Sequence, residues 1–341
     1  MTAPLRVGVY GAGSIGGYVG ARLLAAEAAD VVLVGRPRVE REVAARGLAV
    51  QDFDGPVATV PPARVRFATA TGALAECEVV LCCVKSQHTA DAAKDLASVL
   101  ARDCVVVSLQ NGVRNPDTLR AQLGARLVLA SIVTWNVVVT DGVYRRATSG
   151  PLVLERAGDE RVRRLVAALR TAGIPVEERD ELGPDQWTKL IVNLNNAVSA
   201  LTDVSTGRLL AEPGYRRIVA AIVGEGVRVV RGAGIRLARW NGVPVGVMAR
   251  VLGLPTPIVK LVTRRQLKVD PAARSSMWQD LAADRPTEVA YLNGEIVHLA
   301  ERTGQAAPLN ARIVELVRAA EAAHAGSPRL SADALWSALT R

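Results

Sequence analysis

The chain has 341 residues, 50% of them hydrophobic and 22% charged, a globular usage that excludes a disordered or fibrous protein and suggests two domains. Its formal net charge is +9, but the basic residues are scattered and aromatics make up only 4%, so neither a basic stripe nor a stacking platform for nucleic acid is expected. With no apolar run near the roughly 18 residues of a membrane helix and no signal-peptide pattern at the N-terminus, the expectation is a cytoplasmic protein with no membrane contact.

In chain order, apolar runs at Leu5 to Tyr10, Val31 to Val34, Val79 to Val84, Val105 to Leu109 and Leu127 to Val133 have the length of strands buried on both faces of a parallel sheet. Helical spacing between them, as at Ile15 to Ala26 and Thr89 to Leu100, gives a βαβ rhythm. Trp135 to Val139, Val143 to Ala147 and Leu152 to Glu155 are short and separated by Asp141-Gly142 and Ser149-Gly150, which predicts antiparallel strands extending that sheet. Arg161 to Ala172 reads as a helix and Val176 as the centre of a last strand. From Pro184 onward helical periods dominate, at Trp187 to Leu201, Tyr215 to Gly232, Glu288 to Thr303 and Asn310 to Ala323. An α/β Rossmann-type dinucleotide-binding domain over residues 1–180, followed by an all-α domain over 181–341, is therefore expected. The stretch from Gly234 to Pro271 is punctuated by Pro and Gly and locally basic, and its role is not legible.

Four cysteines, Cys77, Cys82, Cys83 and Cys104, lack paired C-x-x-C spacing, and with three histidines they assemble no zinc site; reduced, mostly buried thiols are expected and no metal. Of the 42 basic residues only five are lysine, at positions 85, 94, 189, 260 and 268, which leaves 37 arginines. Arg and Ala enrichment reads as genomic composition bias, and against it each retained lysine invites a chemical reason.

Gly11-Ala12-Gly13-Ser14-Ile15-Gly16 follows the first strand and opens a helix, the setting of a dinucleotide fingerprint in which phosphate approaches backbone amides at a helix N-terminus. A tight structural turn is the simpler alternative. At the end of the second strand, where an acidic residue would hold the ribose hydroxyls of NAD, stands Arg36. It can take a 2′-phosphate through its fork of donors, which points to NADP, although a solvated surface arginine fits too. Val84-Lys85-Ser86-Gln87 and Gln110-Asn111-Gly112 end later strands, where ligands bind in open α/β sheets. Lys189, Asn193 and Asn196 fall at i, i+4 and i+7, one face of a helix whose other residues, Leu190, Ile191, Val192 and Leu194, are apolar, so the polar stripe is expected to line a cavity.

Taken with Trp187 to Asn196, Ser275-Ser276-Met277, Arg285, Thr287-Glu288 and Tyr291-Leu292-Asn293-Gly294, these motifs resemble the ketopantoate reductase (2-dehydropantoate 2-reductase) family over nearly the whole chain. The resemblance implies an NADP-dependent oxidoreductase of pantothenate biosynthesis that reduces a small 2-oxo acid and pairs as a homodimer. It implies Lys189 as general acid with Glu288 in the catalytic centre, Asn193, Asn196, Ser276 and Glu288 on the substrate, and Lys85 and Asn111 beside the cofactor. For Glu288, a carboxylate favoured by a helix dipole is an alternative. Many family members carry the second asparagine eight residues after the lysine, where this chain has Ala197, and another three residues before the second serine, where it has Ala273. These departures fall on the substrate side. A 3-hydroxy acid dehydrogenase of similar architecture, or a binding module that senses NADP without turnover, are the rival readings.

Overall fold

The computed structural model describes residues 3–52, 55–240, 242–263 and 274–341, and the chain divides into two compact units, Met1–Leu182 and Gly183–Arg341. In the first unit the strands are β1 (Arg6–Tyr10), β2 (Asp30–Val34), β3 (Leu48–Gln51), β4 (Val57–Val60), β5 (Arg66–Ala68), β6 (Val79–Cys82), β7 (Val105–Ser108), β8 (Val128–Val133), β9 (Val137–Thr140), β10 (Val143–Arg146), β11 (Leu152–Glu155) and β12 (Val176–Arg179). Eight of them form one sheet in the order β12-β11-β8-β7-β6-β1-β2-β5. All pairs from β8 across to β5 are parallel, while β11 runs antiparallel to β8.

Alternate residues of the central strands enter two different cores. Val7, Val9, Val31, Leu33, Leu81 and Val107 pack on one face, and Val32, Val34, Val80, Cys82 and Val106 on the other. Burial on both faces is the reason these strands read as continuous apolar runs rather than alternating ones. β1 lies between β2 and β6, so successive crossovers leave it in opposite directions and open a crevice at the carboxyl ends of the strands.

One expectation about the sheet needs correction. Of the three short strands after β8, only β11 extends the main sheet; β9 and β10 form a hairpin through Asp141 (φ 52°) and Gly142 (φ 79°) and join β3 and β4 in a separate four-stranded sheet, order β4-β3-β10-β9. That sheet lies on the helix Ser14–Ala25, where a Cβ on Gly17 would collide with the Tyr144 ring. Strands β3, β4 and β5, three to four residues each, are too short to stand out as apolar runs.

The second unit is built around the helix Pro213–Gly232, whose Ile218, Ile222 and Val229 are fully buried. Among the described residues it is helical apart from a two-stranded ribbon, Arg239–Trp240 with Val243–Pro244, so it departs slightly from an all-α domain. The expected helix Trp187 to Leu201 is two helices, Gly183–Asn193 and Asn195–Thr202. At the break the Leu194 N–H donates to Ile191, three residues back, and Asn195 Nδ2 donates to the Val192 carbonyl, a side chain competing with the backbone for a helical acceptor. The expected helix Glu288 to Thr303 is a 3₁₀ turn, Val289–Tyr291, then the helix Asn293–Arg302, separated by Leu292 at φ −113°, ψ −87°. From the Gly234 to Pro271 stretch the described part holds the ribbon and the helices Val245–Leu252 and Thr256–Thr263. Ala273 lies outside the described residues.

Candidate active site

Gly11 follows β1 with φ +101°, a conformation that glycine adopts without strain. A Cβ there would lie 2.7 Å from the Val84 amide nitrogen, so the turn after β1 sits hard against the turn after β6. The N–H groups of Gly11 and Ala12 donate to the Val34 carbonyl at the end of β2, at 2.9 and 3.1 Å. The next helix, Ser14–Ala25, starts at Gly13 with no side-chain cap and no acidic residue in its first turn. A Cβ added to Gly13 would meet nothing within 4 Å. Open space before uncapped helix amides, at the positive end of a helix dipole, suits a pyrophosphate. Gly11, Gly13, Ser14, Ile15 and Gly16 thus fit a dinucleotide. Gly16 serves packing, since a Cβ on it would collide with the Gly11 carbonyl oxygen.

Arg36 stands two residues past β2, just before the helix Pro37–Arg46, and is exposed. Among the described residues it makes no ion pair, whereas its neighbour Arg38 is engaged by Glu42 at 2.7 Å.

Lys85 and Asn111 occupy the turns after β6 and β7, and a buried polar chain joins those turns. Ser86 Oγ donates to the Asn111 carbonyl at 3.1 Å. Asn115 Nδ2 donates to Ser86 Oγ at 3.0 Å, and Thr89 Oγ1 to Asn115 Oδ1 at 2.9 Å. Gln110 Nε2 donates to Thr89 Oγ1 at 2.7 Å and to the Val84 carbonyl at 3.0 Å. Ser86, Thr89, Gln110 and Asn115 are all buried, and a satisfied buried network of this kind fixes a single loop geometry. Asn115, the hub, carried no signal in the sequence beyond being a polar residue at the start of a helix.

In the second unit, Lys189 and Asn193 lie on the helix Gly183–Asn193 and Asn196 on the one after it, so the polar stripe spans a helix break instead of one continuous helix. All three are half-buried. Ala197 is fully buried, which leaves Asn196 as the polar group at this point. Ser275 Oγ donates to the Asn196 carbonyl at 2.9 Å and accepts the Trp278 N–H at 3.1 Å. Ser275 therefore caps the helix Ser276–Ala282 and ties it to Asn196, bringing Ser276 alongside. A serine directly before a helical run is a recognisable cap signal, and sequence reasoning passed over it.

Burial lowers the Lys189 pKa from 10.5 to about 8, and the charge of Glu288 acts in the opposite direction. Desolvation disfavours the ammonium and a nearby carboxylate favours it. Glu288 is 5% exposed. It stands directly before the 3₁₀ turn Val289–Tyr291 and makes no side-chain cap bond to it. The thiols are inert by comparison: burial raises Cys77 to about 11 and Cys82 and Cys104 to about 12.

Sequence comparison decides the family. A family model described as ketopantoate reductase PanE/ApbA matches residues 7–158, and the corresponding C-terminal model matches residues 181–321. The chain belongs to the ketopantoate reductase family. It is accordingly an oxidoreductase acting on a CH–OH group with a nicotinamide dinucleotide, and its substrate is a small molecule. It is 33% identical to a 2-dehydropantoate 2-reductase of Halobacterium salinarum, over 93% of this chain and 99% of the relative. Among solved structures, a PanE/ApbA family ketopantoate reductase from Ralstonia eutropha JMP134 superposes with a TM-score of 0.79 at 32% identity, covering 94% of this chain and 99% of that one. D-mandelate dehydrogenase, solved with NADH and anilino(oxo)acetate, gives a TM-score of 0.78 over 94% and 99% of the two chains, and at 21% identity it is a likeness of fold. Among the described residues no helix is long and apolar enough to cross a membrane.

Proposed function

We propose that this ketopantoate reductase family member reduces 2-dehydropantoate, or a close 2-oxo acid analogue, to the 2-hydroxy acid with NADPH, using Lys189 as general acid. What supports the reading is the setting of Lys189, half-buried with Asn193 on the helix Gly183–Asn193, where burial draws its pKa down to about 8 against the pull of Glu288. A proton donor is most effective when its pKa lies near the working pH. At 10.5 a lysine would surrender its proton reluctantly; near 8 it is still charged at neutral pH and gives the proton up readily.

When bound, the nicotinamide supplies the hydride. Lys189 holds a proton at Nζ and passes it to the substrate's carbonyl oxygen as negative charge grows there. Asn193 and Asn196 donate amide N–H groups to substrate oxygens, Ser276 Oγ donates to the carboxylate, and Glu288 accepts from the substrate hydroxyl. Such fixed donors act by position and electrostatics. Gly11, Gly13, Ser14, Ile15 and Gly16 form the pyrophosphate cradle, Gly11 and Gly16 by permitting the close packing that shapes it. Arg36 takes the 2′-phosphate, which NADH lacks, and Lys85 and Asn111 border the reacting groups. Residues 1–180 carry the cofactor, and 181–341 carry the substrate and pair two chains in a cytoplasmic homodimer.

The test is a panel of 2-oxo and 3-oxo acids assayed with NADPH and with NADH. Turnover of 2-dehydropantoate with a strong NADPH preference is expected. A 3-oxo acid preferred over every 2-oxo acid would move the enzyme to the 3-hydroxy acid dehydrogenases, and NADPH binding without any turnover would make it a sensor.

A further inference from the structure

The turn that presents Glu288 is strung between the two ends of a single helix, Pro308–Ala323. Toward the helix's C-terminal end, Glu321 Oε1 accepts the Thr287 N–H at 2.6 Å, and Thr287 Oγ1 accepts the Val289 N–H at 3.2 Å. Toward its N-terminal end, Asn310 Oδ1 accepts from Asn293 Nδ2 at 3.0 Å. Asn310 is held in turn by Glu225 of the helix Pro213–Gly232: Glu225 Oε1 accepts from Asn310 N at 2.8 Å and from Asn310 Nδ2 at 2.9 Å, while Glu225 Oε2 accepts from Leu309 N at 3.1 Å. Asn293 and Asn310 are fully buried and Glu225 is 8% exposed.

Two features separate this chain of contacts from ordinary core packing. Asn293 Oδ1 is buried and, among the described residues, has no hydrogen-bond partner, an arrangement that costs stability and which a leucine or alanine at the same place would avoid. Leu292, between the Glu288 turn and Asn293, has a backbone conformation outside both helix and strand, φ −113°, ψ −87°, so the turn is not a continuation of the helix Asn293–Arg302 and the side-chain bonds at Thr287 and Asn293 are its anchors.

We propose that Glu225, Asn310 and Asn293 are positioning residues for the reaction, a buried relay that fixes the Glu288 carboxylate relative to the Lys189 ammonium. The inference rests on the general-acid reading above. Glu225 and Asn310 act through Asn293 and the turn, and the charge of Glu288 acts on Lys189.

The test exploits the scarcity of lysine, since the full chain has five. With ¹³Cε-labelled lysine in the cofactor-free protein, the Lys189 signal is the one lost in Lys189→Arg, and its titration can be followed by NMR without any turnover. Asn293→Ala and Glu225→Gln loosen Glu288, so its upward pull weakens and the Lys189 midpoint falls by about half a pH unit in each. In the same variants kcat falls about 10-fold while KM for NADPH holds. Asn293→Ser replaces Asn293→Ala if the latter does not fold. Unchanged Lys189 midpoints, with any loss of activity tracking loss of thermal stability alone, overturn the positioning role. A wild-type Lys189 that titrates far from 8 counts against the general-acid reading instead, so the two failures are distinguishable.

Discussion

Glu288 opposes the burial of Lys189: the one draws the lysine pKa down to about 8 and the other pulls it back up. A lysine in that balance can donate a proton and recover it, which Arg, with a pKa above about 12, cannot do. Lys189→Arg keeps the charge and is expected to fail nearly as badly as Lys189→Ala, each lowering kcat by something like 10²- to 10⁴-fold with NADPH affinity kept. Single-turnover kinetics and cofactor titration check this; near-native turnover in Lys189→Arg would reduce the lysine to an electrostatic anchor.

Cofactor choice is expected to turn on Arg36, the arginine beside β2 that no carboxylate among the described residues engages. Arg36→Ala should raise KM for NADPH at least about 10-fold and leave KM for NADH nearly unchanged, because only the phosphate contact is lost. Steady-state kinetics with both cofactors measure it, and equal effects on the two would reject the assignment.

The glycines of the first turn should separate into binding and packing positions. Gly13→Ala adds a methyl where nothing lies within 4 Å, so the protein should melt normally and bind NADPH more weakly. Gly11→Ala forces φ +101° on alanine and drives a Cβ to 2.7 Å from the Val84 nitrogen, so its main effect should be a lower Tm. Calorimetry beside cofactor binding distinguishes them; a Gly13→Ala variant with native affinity would empty the cradle of its purpose.

Adjacent serines provide a similar contrast. Ser275 caps a helix and binds the Asn196 carbonyl, so Ser275→Ala is expected to cost about 1 kcal/mol of stability. Ser276→Ala should leave stability alone and reduce kcat/KM for the 2-oxo acid by about 5- to 150-fold, the worth of one buried hydrogen bond. Urea unfolding and kinetics on the two variants test the division, and the reverse pattern would refute it.

How legible the chain was follows from the range of the interactions. The doubly buried runs of β1, β2, β6, β7 and β8 and the glycine turn announce themselves because burial on two faces and a helix-opening glycine leave marks on contiguous residues. β9 and β10 were recognisable as strands from the Asp141-Gly142 turn, but β10 also pairs with β3, parallel and some ninety residues earlier, and no local pattern encodes that pairing. The helix breaks at Leu194 and Leu292 were hidden because both are apolar residues in good helical phase. Lys189 stood out in the sequence as part of a polar stripe in an apolar run, whereas its acid role, Glu288 and Ser276 were drawn from family resemblance, and what joins the Ser276 helix to Asn196 is a tertiary contact, Ser275 to the Asn196 carbonyl. The anchoring roles of Asn115, Asn310 and Glu225 left no mark in the sequence, since a buried polar residue looks there like an exposed one.

The central claim, that Lys189 is the proton donor, is tested most directly by pH profiles of the wild-type enzyme in both directions under conditions where chemistry limits the rate. Reduction of the 2-oxo acid requires the ammonium and should fall as pH rises through about 8, while oxidation of the 2-hydroxy acid requires the free amine and should climb through the same pH. Mirror-image limbs that share one midpoint are the predicted result. Flat profiles, or limbs that survive unchanged in the residual activity of Lys189→Ala, would contradict it.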